Sequence, residues 1–218
     1  MSRLQSCLGG AVAVALLVWA LPGSAQKGAP ASGEWRAYSG DTGSTRYAPL
    51  DQITRDNVRN LQVAWSWRFD NFGGGTSQTT PIMADGVLYF TVGQRRNVIA
   101  VNPGTGETLW TWRPDEGARF DQAPRKVGRG VSYWTDGASD ERIFVVMPSY
   151  MLVALDAKTG RQVPGFGKDG VVDMAANLRW NERPGLPREG RVANTSPAAI
   201  VGWTVCGADF CSRPSTAI

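Results

Sequence analysis

The chain has 218 residues, with 23 lysines and arginines against 19 aspartates and glutamates, and no histidine. The missing histidine removes imidazole metal ligands, imidazole general bases and the usual hydrolytic triads together. The basic side chains are scattered and form no cluster, which excludes a nucleic-acid partner from the expectation.

The first segment reads as a secretory leader. Arg3 is a positive start, Ala11 to Leu21 form an apolar core, and Pro22-Gly23-Ser24-Ala25 offer the small residues a signal peptidase reads. That apolar run is short for a bilayer span. Cys7 precedes the core, where a lipid-anchor cysteine would follow it. Residues 1–25 are therefore expected to be a cleaved signal peptide, and the mature chain to be periplasmic or secreted. Without Arg3, 22 basic and 19 acidic side chains remain. Cys206 and Cys211 are the cysteines outside the leader; their spacing matches no zinc or haem motif, and a disulfide suits an oxidising compartment.

Residues 26–32 are small and polar. From Gly33 onward Trp35, Tyr38, Tyr47 and Pro49-Leu50 alternate with Gly40, Asp41, Gly43 and Ser44, which predicts turns studded with aromatic anchors. Thr54 to Leu61 is expected to be a short helix capped by Thr54, with Ile53, Val58 and Leu61 on one side. Leu61 to Phe69 is rich in β-branched and aromatic residues and predicts a strand. Its Trp65/Trp67 pair returns as Trp110/Trp112, 45 residues later.

Next come Pro81 to Ala84, Asp85-Gly86, and Val87 to Val92: two apolar runs around an Asx-Gly turn, a strong hairpin signal. A longer phrase then appears twice. Val98-Ile99-Ala100-Val101-Asn102-Pro103-Gly104-Thr105-Gly106 is matched by Leu152-Val153-Ala154-Leu155-Asp156-Ala157-Lys158-Thr159-Gly160, with the final glycines 54 residues apart. Each reads as an alternating strand, a tight Thr-Gly turn and a further strand.

The first unit closes at Trp110. The second runs through Gly130–Trp134, Arg142–Val146, Leu152–Leu155 and a strand near Val163. Asn194 to Val201 opens a third. A repeat of this length, with no amphipathic helix of ten residues after the leader, predicts an all-β fold: a β-propeller of four-stranded blades. Ala100 and Ala154 are small where a bulky ring, such as Trp110, must lie flat against the sheet. The second unit departs from the first, because Pro164 stands where Trp110 would fall and Phe166 matches Trp112.

Trp35-x-x-Tyr38, Arg46-Tyr47-x-Pro49-Leu50-x-Gln52-Ile53, Asn57-Val58-x-x-Leu61-x-Val63-Ala64-Trp65 and the two Thr-Gly repeats resemble the pyrroloquinoline quinone (PQQ)-dependent dehydrogenases. These are quinoproteins of the alcohol and membrane-type glucose dehydrogenase group. The resemblance runs from about Gly33 to Gly202. It implies an eight-bladed propeller carrying the quinone on its axis, usually with a calcium ion. It also implies an alcohol or aldose substrate that loses hydride to the quinone, an aspartate base, and a cytochrome or ubiquinone as electron acceptor.

Three positions match cofactor-contacting residues of that family: Gln78 before Thr79-Thr80-Pro81, Arg129 in Arg129-Gly130-Val131-x-Tyr133-Trp134, and Thr195 in the third unit. An arginine suits a quinone carboxylate, because its planar fork meets a carboxylate with two hydrogen bonds. The same three side chains also fit plainer roles: a loop cap for Gln78, a surface ion pair for Arg129, a turn for Thr195. Two family marks are missing. Ala123-Pro124 occupies the place of an adjacent cysteine pair, and Arg125 that of a histidine in the membrane glucose enzymes, so the substrate stays open.

Eight blades need several hundred residues. Residues 26–202 are therefore expected to hold a leader, two blades and the start of a third, with the family's calcium ligands and base aspartate absent. Residues 203–218 show no apolar alternation and are expected to be an aberrant, frameshifted or truncated tail. Two other readings stand beside the enzyme. One is an inactive remnant. The other is a non-enzymatic propeller scaffold sharing the Ala-x-Asp-x-x-Thr-Gly repeat, although such scaffolds lack the Trp35–Trp65 leader and the Arg129-Gly130 element.

Overall fold

The computed structural model describes residues 32–41, 43–73, 77–176, 192–201, 204–207 and 210–212. The expected signal segment, 1–25, lies outside them. Three antiparallel sheets follow one another along the chain. The first is β1 (Ile82–Ala84), β2 (Val87–Val92), β3 (Asn97–Val101) and β4 (Thr108–Trp112), paired in chain order. The second is β5 (Ser132–Thr135), β6 (Glu141–Val146), β7 (Met151–Asp156) and β8 (Val171–Asp173). The third joins β9 (Ala199–Val201), β10 (Thr204–Gly207) and β11 (Phe210–Ser212). The longest helix among the described residues is α1 (Ala118–Gln122).

Local chemistry sets the turns. Asp85 and Gly86 both take positive φ, 48° and 72°, as a two-residue hairpin demands. In the repeated phrase the Asx carboxyl or amide oxygen accepts backbone N–H bonds: Asn102 from Gly104 and Thr105, and Asp156 from Lys158 and Thr159. Gly106 and Gly160 then donate back to the carbonyls of Asn102 and Asp156, both at 2.8 Å. Their φ values of 75° and 69° favour glycine.

Alternation along the middle strands divides the core. In β3, Val98 and Ala100 face the second sheet, while Ile99 and Val101 face Trp65, Trp67 and Phe72. In β7, Val153 and Leu155 face the first sheet, while Leu152 and Ala154 face the third. Sheets covered on both sides bury every residue of a middle strand, and β3 is buried throughout.

The join between sheets is an indole on a glycine turn. Trp110 Nε1 donates to the Ala157 carbonyl at 2.9 Å, and a Cβ on Gly160 would lie 2.5 Å from Trp110 Cε3. Tyr89 adds its hydroxyl to the same carbonyl. Trp65 repeats the arrangement one unit earlier. Its Nε1 donates to the Pro103 carbonyl at 2.8 Å, and a Cβ on Gly106 would lie 2.7 Å from its ring. The ring expected over Ala100 or Ala154 thus lies instead on the turn of the following unit.

Three expectations need correction. Leu61 to Phe69 forms no strand: Trp65 and Trp67 dock as rings, but the backbone finds no ladder partner among the described residues. The Thr54 helix shrinks to one 3-10 turn, Val58–Asn60. There Asn57 accepts from the Thr54 N–H and donates to the Gln52 carbonyl, a local bonding pattern that competes with a helix. Its apolar side chains, Ile53, Val58 and Leu61, are exposed, as is Tyr47.

In the second sheet the strand near Val163 is reduced to a Leu155–Gln162 bridge. Pro164 cannot donate to a ladder. The chain therefore leaves, inserts Phe166 against Phe144 at 5.3 Å, and returns as β8. Residues 204–207 and 210–212 are paired strands. Val205 is fully buried beside Ala198 and Phe166, and Cys206, opposite Cys211 in the ladder, is disulfide-bonded. A sheet formed from strands this short shows little alternation in its sequence.

The docking geometry predicts unequal costs for small changes. Gly160→Ala forces a methyl into the Trp110 ring at a positive-φ site and should cost about 2–3 kcal/mol. Gly137→Ala, with nothing within 4 Å, carries only the backbone penalty and should cost about 1 kcal/mol. Urea unfolding of the two variants measures the difference.

Candidate functional site

The innermost strands of the three sheets are β1, β5 and β9, and β5 contacts both of the others. The chain segments leading into these strands are stitched side by side. The Thr80 N–H donates to the Arg129 carbonyl at 2.8 Å, and the Arg129 N–H donates to the Thr195 carbonyl at 2.8 Å. Ser132 continues the seam by donating its hydroxyl to the Ala198 carbonyl. Gly130 has φ 134°, and a Cβ there would lie 2.7 Å from the Thr80 carbonyl oxygen. Only glycine admits this approach of two backbones.

Two of the three expected site residues, Arg129 and Thr195, are thus bonded neighbours. Gln78 lies two residues before Thr80 on the adjoining segment, and its side chain is exposed. Arg129 is exposed as well, and it takes part in none of the ion pairs among the described residues. Thr195 is half-buried. Thr79 is drawn inward, its hydroxyl accepting from the Thr91 N–H and hydroxyl. A cation, a hydroxyl and an amide therefore sit on adjoining segments at one end of the inner strands. That set can donate hydrogen bonds to a flat anionic ligand.

Behind these segments lies a residue the sequence reading missed. Arg96, in the β2–β3 turn, is 2% exposed. It donates to five backbone carbonyls: Arg125, Lys126, Val127, Val146 and Asn194. Burial pulls its pKa down to about 10, opposed by the nearby Glu116 carboxylate. In sequence it is one half of an Arg95-Arg96 pair in a hairpin turn, which reads as solvated charge.

Beyond it, a cleft of about 530 Å³ is lined by Asn71, Phe72, Arg95, Arg113 and Phe120 among others. Arg95 lies over the Phe120 ring and Arg113 over Phe72. Among the described residues no three His, Cys, Asp or Glu side chains cluster to hold a metal ion.

Residues 35–215 match the family described as PQQ: glucose/ethanol/alcohol dehydrogenase, β-propeller domain. Among curated proteins, the glycerol dehydrogenase large subunit of Gluconobacter oxydans is 31% identical over 193 residues, covering 83% of this chain and 25% of that protein. The 1-butanol dehydrogenase (cytochrome c) of Thauera butanivorans is 36% identical over 142 residues, 61% of this chain and 18% of that protein. Among solved structures, a quinohemoprotein alcohol dehydrogenase from Pseudomonas putida superposes with TM-score 0.64 at 27% identity, covering 85% of this chain and 25% of that one. The enzyme of the same kind from Comamonas testosteroni gives TM-score 0.61 at 25% identity, covering 79% and 22%.

The chain spans about a quarter or less of the length of these relatives. The matched region runs past Gly202 and takes in β10 and β11. The chain belongs to the PQQ-dependent glucose/ethanol/alcohol dehydrogenase family, as a part of its β-propeller domain.

Proposed function

We propose that this chain supplies one side of the quinone site of a periplasmic PQQ-dependent dehydrogenase. In it an alcohol or aldose gives up hydride to the quinone, and electrons leave to a cytochrome or ubiquinone. The observation that carries the reading is Arg129: an exposed guanidinium in no ion pair among the described residues, whose backbone is bonded on one side to the segment of Gln78 and on the other to Thr195. The relatives' names favour alcohols over sugars, and one of them names cytochrome c. The leader-like residues 1–25 support export.

When bound, pyrroloquinoline quinone supplies a hydride acceptor. The chain's own residues bind and orient. Arg129 meets a carboxylate with its planar fork, Thr195 donates or accepts through its hydroxyl, and Gln78 offers an amide. Their segments are held by backbone bonds before any ligand arrives, so little ordering cost remains at binding. Calcium enters the proposal through the family alone.

The described residues form two four-stranded sheets and a three-stranded one, and the chain spans a quarter of the length of its glycerol dehydrogenase relative. We propose that these residues by themselves contact the quinone without oxidising an alcohol.

Titration of the chain with pyrroloquinoline quinone, followed by tryptophan quenching, should give saturable binding. Arg129→Gln should weaken it on the order of 10- to 100-fold, the worth of a charge-assisted bond. Equal affinity of the variant would remove Arg129 from the site. With quinone, calcium and a dye acceptor, the chain alone should show no alcohol-dependent dye reduction, whereas measurable turnover would refute the proposal that these residues bind without oxidising.

A further inference from the structure

Arg96 is the most heavily bonded side chain of the described residues, and no carboxylate pairs with it. Its Nε donates to the Lys126 carbonyl at 3.1 Å and its Nη1 to that of Val146 at 2.6 Å. Its Nη2 is shared among the carbonyls of Arg125, Val127 and Asn194, at 3.2, 3.1 and 2.7 Å. These acceptors come from three places: the segment before Arg129, the end of β6, and the residue before Thr195. Arg96 itself belongs to the first sheet. One guanidinium thus ties the β2–β3 turn to the approaches of two inner strands, β5 and β9, and to the end of β6.

The surroundings are built for it. Arg96 has φ 57°, a conformation that a side chain disfavours, so the contacts of its head group hold its backbone there. Gly128 has no side chain where a Cβ would lie 2.7 Å from Arg96 Cδ and 2.8 Å from Nε. A lysine at 96 has one nitrogen to offer and cannot reach five acceptors in a plane.

We propose that Arg96 is the positioning residue for the quinone end, setting Arg129 against Thr195 by holding the backbone immediately before each. It touches no ligand, and the inference rests on the cofactor reading only for its consequence in binding. The local consequence is independent of any ligand. The Arg129 N–H bond to Thr195 and the Thr80 N–H bond to Arg129 persist because Arg96 fixes the carbonyls beside them.

The test is amide hydrogen exchange on the 218-residue chain carrying Arg96→Met, Arg96→Lys or Gly128→Ala, the last displacing the guanidinium without removing it. Exchange at Thr80 and Arg129 should rise at least tenfold in all three, with amides of β6 and β7 unchanged and thermal midpoints close to the parent. Quinone affinity should fall with Arg96→Met about as far as with Arg129→Gln, and Arg96→Lys should restore part of it. Unaltered exchange at Arg129 would overturn the proposal. So would a uniform loss of protection through β5 to β7 in every variant, which would make Arg96 a general stabiliser. Accelerated exchange in the variants of a parent chain that itself fails to bind quinone would uphold the positioning role and sink the cofactor reading instead.

Discussion

An indole ring laid on the glycine of the next sheet's turn is the contact from which the rest of this architecture follows. Trp110 reaches Ala157 and Gly160, and Trp65 reaches Pro103 and Gly106, with the same donor, the same carbonyl position and the same absence of a Cβ beneath the ring. Sheets packed face to face have no hydrogen bonds to join them. A ring that buries its face while its N–H is satisfied joins them at one defined point. The glycine therefore serves twice: its positive φ closes the turn, and its bare Cα receives the ring. The first sheet receives the ring of Trp65 and gives that of Trp110 to the second, so one sheet's turn is the docking site for the ring before it.

That repetition is why so much of the fold can be read from the chain. The Thr-Gly turns and the Asp85-Gly86 hairpin are governed by bonds between residues a few positions apart, so their sequences carry their structures. What fails is non-local. Leu61 to Phe69 has the composition of a strand, but a strand is completed by a partner edge, and composition does not say where that edge is. The second sheet's outer strand was sought near Val163 by analogy with Trp110. Pro164 withdraws a ladder donor, the chain bends Phe166 into the core, and β8 forms only at Val171–Asp173. The short strands β10 and β11 are hidden for a related reason: Val205 is buried against residues of the second sheet and Phe166, not by any pattern of its own.

The candidate site divides in the same way. Arg129 and Thr195 were legible because a family motif surrounds each, and the structure makes their backbones neighbours. Arg96 was not legible, and for a physical reason. Its five partners are backbone carbonyls, which carry no residue identity, and they come from stretches up to 98 residues away. A buried arginine that bonds only to main chain leaves no complementary acid elsewhere in the sequence to betray it.

These two kinds of contact divide the work of building a site at an axis. Apolar faces and indole rings supply most of the attraction, but apolar attraction is non-directional and tolerates small rotations of one sheet against another. A binding site formed by separate sheets tolerates much less, because hydrogen bonds weaken steeply with angle and distance. The polar seam meets that demand: Thr80 to Arg129, Arg129 to Thr195, Ser132 to Ala198, and the Arg96 fork behind them. A guanidinium is suited to the task because it is rigid, planar and always charged, and because burial makes it costly for any one of its donors to be left idle. A hydrophobic side chain of similar size at residue 96 would fill the space and leave the sheets attached, yet nothing would then fix the angle at which their inner strands meet.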